Sequence, residues 1–349
     1  MSTELAILGC GARTPVGLDR RSSAAAVRAG VSAIAEHPYM LDRFGEPMLV
    51  TRDARLDPRL AGPERLAALA IPAARAALAP LEHGRRAVKL VLAVGLASQR
   101  PGQEDDAGAA VAGRLCDALS GAVTIEGVLQ LPEGHAGGLL ALAAARQMIT
   151  EGSADVVLAG GVDSYLSQAT LEWLDDTEQL HSAGNIYGFC PGEGAGFVLM
   201  ARMETARRLG CAPLIELVAV GTAIERNRIR TEDICLGAGL SAAFREATRP
   251  LDAGEQIERI VCDMNGERYR GNEYGFAILK HPGPFKDAAV FEAPADCWGD
   301  VGAASGPLYV SLVVEAEARG YSRGPLSLVW ASSVAGQRAA ATLRRSGAR

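Results

Sequence analysis

Several common signatures are missing from this sequence. No Lys- or Arg-rich run occurs and the formal net charge is −6, which argues against a nucleic-acid partner. The seven cysteines, Cys10, Cys116, Cys190, Cys211, Cys235, Cys262 and Cys297, are odd in number and scattered, with no C-x-x-C pair. They supply neither a disulfide framework nor a zinc site and fit reduced thiols. No stretch of about 18 apolar residues occurs, so no membrane span is expected. The N-terminus has no basic segment followed by an apolar one, so no signal peptide is expected and the reading is a cytoplasmic protein. Phosphate-binding loops are absent too. Gly9 and Gly11 begin like a dinucleotide turn, but Thr14 stands where the third glycine belongs and Pro15 follows. "GEGAG" (192–196) lacks the Gly-Lys-Ser/Thr ending of a P-loop. No cofactor and no metal are expected.

Aromatic residues are scarce at 5%, so the core must be built from Ala, Leu, Val and the 40 glycines. Small aliphatic cores of this kind suit layered α/β architectures, where helices and sheets approach closely. The 349 residues suffice for one large domain or two moderate ones. "LAILGCG" (5–11), "AVKLVLAVGL" (87–96), "PLIELVAVGTAIE" (213–225), "IERIVCDMNG" (257–266) and "LSLVWASS" (326–333) read as buried strands. "GFCPGEGAGFVLM" (188–200) reads as two strands around a glycine-rich turn. "SSAAAVRAG" (22–30) reads as a Ser-capped helix, "ERLAALAIPAARAALAPL" (64–81) as a helix kinked at Pro72, and "AAVAGRLCDAL" (109–119) as a third. Residues 37–60, with Pro38, Gly45, Pro47 and Pro58, read as an excursion loop, and 98–108 as a polar loop.

The two halves echo one another. "GHAGGLLALAAARQMITEG" followed by "ADVVLAGG" parallels "GDVGAASGPLYVSLVVEAEARG" followed by "LSLVWASS". Each is a glycine-rich turn, a long apolar helix and a buried strand. A repeat with a period of half the chain points to two copies of one α/β unit. The halves are expected at 1–210 and 211–349, forming one compact unit.

Three motifs then give a resemblance. "LGCGARTPVG" (8–17), "GSADVVLAGGVDS" (152–164) and "GFCPGEGAG" (188–196) resemble, in this order, motifs of the β-ketoacyl synthases of the thiolase-like superfamily. The resemblance implies a five-layered α/β/α/β/α fold with two pseudo-symmetric halves, and a dimer. It also implies a Cys nucleophile and two catalytic His residues, and here all are replaced. His135, in "GHAGG" (134–138), stands at the nucleophile position; Asn265, in "CDMNGERYRGNE" (262–273), and Asp300, in "WGDVGAASG" (298–306), stand at the His positions. The Lys that precedes the second His in the family has no counterpart in "EAPADCW", and the glycine-rich C-terminal loop is degraded to "SVAGQ" (333–337).

A thiolate attacks an acyl thioester, and two imidazoles stabilise the enolate that forms from malonyl. An acyl-imidazole hydrolyses readily, and Asp300 would repel an enolate. Family-type Claisen condensation is therefore not expected. One reading is a binding, scaffolding or chain-length-factor-like partner, as a homodimer or a heterodimer with another protein, serving an acyl carrier protein or acyl thioester. The other is an acyltransferase or thioester hydrolase using His135 and Asp300, since a His oriented by an Asp is a general-base arrangement; the bland counterpart is a polar helix cap in a dead site. Glu267, Arg268, Arg270 and Glu273 read as a structural ion-pair cluster or, less favoured, an anion site. Cys190 and Cys262 are minor candidates for a replacement nucleophile. The cavity at His135 is expected to be narrower than an acyl tunnel.

Overall fold

The computed structural model describes residues 4–81 and 88–347. Nine strands form one mixed sheet, and their order divides it into two related halves. The first half holds β1 (Leu5–Arg13), β4 (Val88–Gly95), β5 (Val123–Leu131), β6 (Val156–Ser164) and β7 (Glu193–Arg202), ordered β5-β4-β6-β7-β1. The second holds β8 (Ile215–Ile224), β9 (Arg259–Cys262), β10 (Leu326–Ser332) and β11 (Gln337–Arg344), ordered β8-β11-β10-β9. Within each half the penultimate strand lies parallel to its outer neighbour and antiparallel to the final strand. The seam is a short antiparallel pairing of Leu5–Ile7 with Ile215–Leu217. The outermost strand of the second half is reduced to isolated bridges at Phe285 and Glu292.

Helices complete five layers. α2 (Gly62–Leu78) and α3 (Ala107–Leu119) cover the outer face of the first half, where Leu69, Ala73, Ala77 and Leu115 pack on Leu8, Leu92 and Phe197. α7 (Ala238–Thr248) and α8 (Arg268–Lys280) cover the second, where Phe244 and Tyr274 pack on Trp330. Between the halves run α4 (Gly137–Glu151) and α10 (Ser305–Ala318), the two helices of the echoed segments. Small residues let them meet: a Cβ on Gly138 would lie 2.4 Å from Pro307 Cδ, and one on Gly306 would lie 2.4 Å from Leu139 Cγ. α10 is buried from Ser305 to Ala316, as a helix that is apolar all round must be.

The remaining elements are α1 (Arg20–Arg28), α5 (Gln168–Asp176), α6 (Met203–Leu209), α9 (Ala295–Trp298) and a separate hairpin of β2 (Ile34–Leu41) and β3 (Pro47–Thr51). Several sequence expectations are corrected here. This hairpin, which begins at Ile34, occupies much of the excursion expected at 37–60; a two-stranded ribbon outside the main sheet tolerates Pro38 and Pro47 because it has open edges. α1 starts earlier than expected and is capped by Asp19 in a capping box with Ser22. Only one strand follows the glycine-rich turn, since Gly188–Gly192 makes only isolated bridges. Ala87, the first residue of the strand expected at 87–96, lies outside the described residues. Among the described residues no helix is long and apolar enough to cross a membrane.

Candidate functional site

The two echoed turns face each other across the junction of the halves. His135 sits in a 3-10 turn, Gly134–Ala136, that leads into α4. Gly134 enters it at φ 66°, a left-handed conformation that glycine adopts without steric cost. Asp300 precedes the matching turn, Gly302–Ala304, that leads into α10. Its backbone is fixed by an N–H donated to Cys190 O (2.8 Å) and a carbonyl that accepts from Gly192 N (2.8 Å). Asn265 lies on the loop after β9.

The three sequence-selected residues converge. His135 Nε2 lies 2.9 Å from Asp300 Oδ2, and Asn265 Nδ2 donates to the same oxygen at 2.6 Å. Gly302 N donates to Asp300 Oδ1 at 2.9 Å. Burial alone would raise the Asp300 carboxyl; the charge and hydrogen bond of His135, the Arg270 charge and the Gly302 N–H outweigh it and hold the group well below the usual carboxylate range. An anionic acceptor places the proton on His135 Nε2. Nδ1 has no hydrogen-bond partner among the described residues and is not a sealed, orphaned atom.

Three further residues complete the site, and the sequence reading did not place them beside His135. Arg270, 1% exposed, lies in the first turn of α8. It donates to Asp263 Oδ2 (2.7 Å), Glu267 Oε2 (3.1 Å) and Ser332 O (2.9 Å). Its Nη2 stands 3.2 Å from His135 Nε2. Tyr165 OH lies 3.4 Å from Nε2, and its phenol is pushed well up by burial and the Asp300 charge. Arg100 stacks over the Tyr165 ring at 4.0 Å and is fixed by Asp163 Oδ1 (2.6 Å) and Ser164 O (2.6 Å).

Among the candidate anion ligands, Arg270 and Glu273 are spent inside the fold; Glu273 pairs with Arg338 at 2.6 Å. Arg268 instead approaches the Tyr187 ring, at 5.7 Å. The thiols are not activated: burial pushes Cys190 up to about 11 and Cys262 further.

A cavity of about 420 Å³ reaches His135. Trp173, Leu174, Phe189, Ile229 and Val334 give it apolar wall, while Arg100, Arg228, Arg230 and Glu267 add charge. Val334 and Ala335 of "SVAGQ" line this cavity.

A model of the β-ketoacyl synthase N-terminal domain matches residues 132–206, the segment from the His135 turn through β7. A putative polyketide β-ketoacyl synthase of Streptomyces virginiae is 30% identical over 159 residues, which is 42% of this chain and 37% of that protein. Over these segments the chain is similar to β-ketoacyl synthases, and it spans well under two thirds of that relative's length. The fold agrees. A type II polyketide ketosynthase in complex with its acyl-carrier protein, bound to the hexaketide, superposes with a TM-score of 0.79 at 14% identity, covering 99% of this chain and 100% of that one. An ishigamide ketosynthase/chain length factor gives 0.71 at 24% identity, over 99% and 100% of the two chains. A β-ketoacyl synthase from Burkholderia phymatum STM815 gives 0.73 at 17% identity, over 98% and 99%.

The Asp300 carboxylate has a measurable signature. Its folded pKa is depressed, so its stabilisation is fully present above the unfolded value of about 3.9 and is lost as pH falls through the folded value. Asp300→Asn will cost about 1.5–3 kcal/mol at pH 7. The gap from the unmodified protein will shrink below about pH 4. Urea unfolding at pH 7 and pH 3 measures both; an equal gap at the two values would mean the carboxylate is not held charged.

Proposed function

We propose that this chain binds a thioester-linked acyl group in the His135 cavity without condensing it, and works as a chain-length-factor-like or scaffolding partner. The observation that carries this is a cavity of about 420 Å³ opening on an imidazole at the position where the resemblance implies a thiol. The volume lies within the roughly 300–1,000 Å³ of small-molecule sites. The titles of two structural neighbours, a ketosynthase with its acyl-carrier protein and a ketosynthase/chain length factor, support an acyl carrier protein and a second ketosynthase-like chain as partners. β5 is an edge strand of the sheet, with one side open to pairing by a second copy or a related chain.

Calorimetry with an octanoyl-pantetheine thioester tests the reading. Binding is expected in the micromolar range, with a loss of at least about tenfold in Val334→Trp, which fills the cavity with an indole. Absence of binding, or binding indifferent to Val334→Trp, would overturn it.

A second reading, thioester hydrolysis, is favoured by the free Nδ1. With Nε2–H donated to Asp300, Nδ1 can accept a proton from water as the water oxygen attacks the acyl carbonyl. The C–S bond then breaks and the imidazolium returns the proton to the departing thiolate. Free thiol appearing from the octanoyl thioester, and suppressed about 10²–10⁴-fold in His135→Ala, would select this reading over a binding role.

A further inference from the structure

A second cavity, of about 480 Å³, shares no lining residue with the one at His135. Its walls come from the end of α1, from the segment around α9, from Leu312 of α10, and from the turn after α10 that carries Tyr321 and Arg323. Three guanidinium groups reach it, and they differ in what they already hold. Arg259 is buried and committed to Glu292 (3.0 and 2.7 Å) and Leu312 O (3.2 Å). That pairing also neutralises Glu292, a half-buried carboxylate of the wall. Arg28 lies flat over the Tyr321 ring at 4.2 Å, and none of its N–H groups has a hydrogen-bond acceptor among the described residues. Arg323 has no partner among the described residues. The remaining acid, Asp296, is exposed at the rim.

Two uncommitted guanidiniums thus share one concave site in a chain of net charge −6. Stacking on Tyr321 fixes Arg28 with its donors free, so less rotamer entropy is lost when an anion arrives. Guanidinium N–H groups match carboxylate and phosphate oxygens in bidentate geometry. Val27, Pro294 and Leu312 add apolar wall beside them. We propose that this cavity binds a small amphiphilic anion, with its carboxylate or phosphate held by Arg28 and Arg323 and its apolar body against Val27, Pro294 and Leu312. The site is independent of any ligand at His135.

Calorimetry with octanoate, octyl phosphate and inorganic phosphate tests this. The two octyl probes are expected to bind, and their affinity ratio distinguishes a carboxylate from a phosphate preference. The variant Arg28→Ala/Arg323→Ala should lower the affinity at least tenfold; both side chains are exposed, so the variant should unfold at the same temperature as the parent. Val334→Trp should leave this binding unchanged. Three results would overturn the proposal: no probe binds, the double variant binds as before, or Val334→Trp abolishes binding and so assigns the signal to the other cavity. Inorganic phosphate binding as tightly as octyl phosphate would overturn the role of the apolar wall.

Discussion

Replacing Arg270 with Ala will cost about 3–5 kcal/mol of folding stability, the largest single-residue loss expected around the site. The reason is what the guanidinium leaves behind. Asp263 and Glu267, 3% and 9% exposed, both pair with Arg270, and Ser332 O accepts from it as well. Burial already pushes the Asp263 carboxyl up, opposed first by the Arg270 charge. Without Arg270 it must protonate or stay buried and unpaired, and both are costly. Urea unfolding of Arg270→Ala at pH 7 measures the loss. The paired variant Arg270→Met/Asp263→Asn should recover part of it, because no isolated charge remains. A loss under about 1 kcal/mol in Arg270→Ala would mean that water reaches these carboxylates and that the network is not the anchor of the His135 turn.

The same network explains what could and could not be read from the sequence. The echoed turns at Gly134 and Gly299 were legible because glycine, small residues and a long apolar helix recur in the same order. The structure turns that echo into α4 and α10, packed side by side between the halves. His135 and Asp300 inherit their meeting from that symmetry. α8 was illegible for a physical reason. Its inward face carries Arg270, Glu273, Tyr274 and Ala277, spaced as a helix requires, but two of the four are charged. A hydrophobic pattern does not register a buried face made of ion pairs, and "RYRGNEYG" is therefore assigned to no helix. Its charges are satisfied by Asp263 and Arg338, distant partners that no local pattern reveals. Tyr165 was missed differently: it follows β6, and only the sheet order brings it back over the His135 turn.

β5 shows the opposite failure. Val123, Ile125, Gly127, Leu129 and Leu131 alternate with Thr124, Glu126, Val128 and Gln130, and the structure shields the first set more than the second. The alternation was present, yet the strand went unread beside the stronger signal of the following turn. An edge strand has one face and one border in solvent, so its apolar content is diluted. The second half has no full equivalent, and its border dwindles to the bridges at Phe285 and Glu292. The duplication is thus least legible at the sheet edges, where fewer contacts constrain the residues.

Purified protein will release no carbon dioxide from a malonyl thioester and form no β-ketoacyl product, and His135→Cys will not restore either. The resemblance assigns condensation to a thiolate and two imidazoles, and each replacement here removes a different contribution. Lost nucleophilic and acid–base groups cost factors of about 10²–10⁴, and a lost oxyanion donor about 10²–10³. Restoring only the thiol leaves the enolate unsupported. Asn265 spends its Nδ2 on Asp300 and Glu267, and Asp300 presents a carboxylate held in its charged form beside the site where the enolate charge would develop. A thiol introduced in place of His135 would also face that carboxylate directly, which disfavours the thiolate. Mass spectrometry of product, together with trapping of released carbon dioxide, measures both outcomes. If His135→Cys condenses acyl and malonyl thioesters, then Asn265 and Asp300 do not stand where the resemblance puts the imidazoles, and the case for a non-condensing partner falls with them. If the variant is acylated on its introduced thiol and goes no further, the cavity delivers an acyl thioester to the turn and the missing chemistry lies in the second half of the fold.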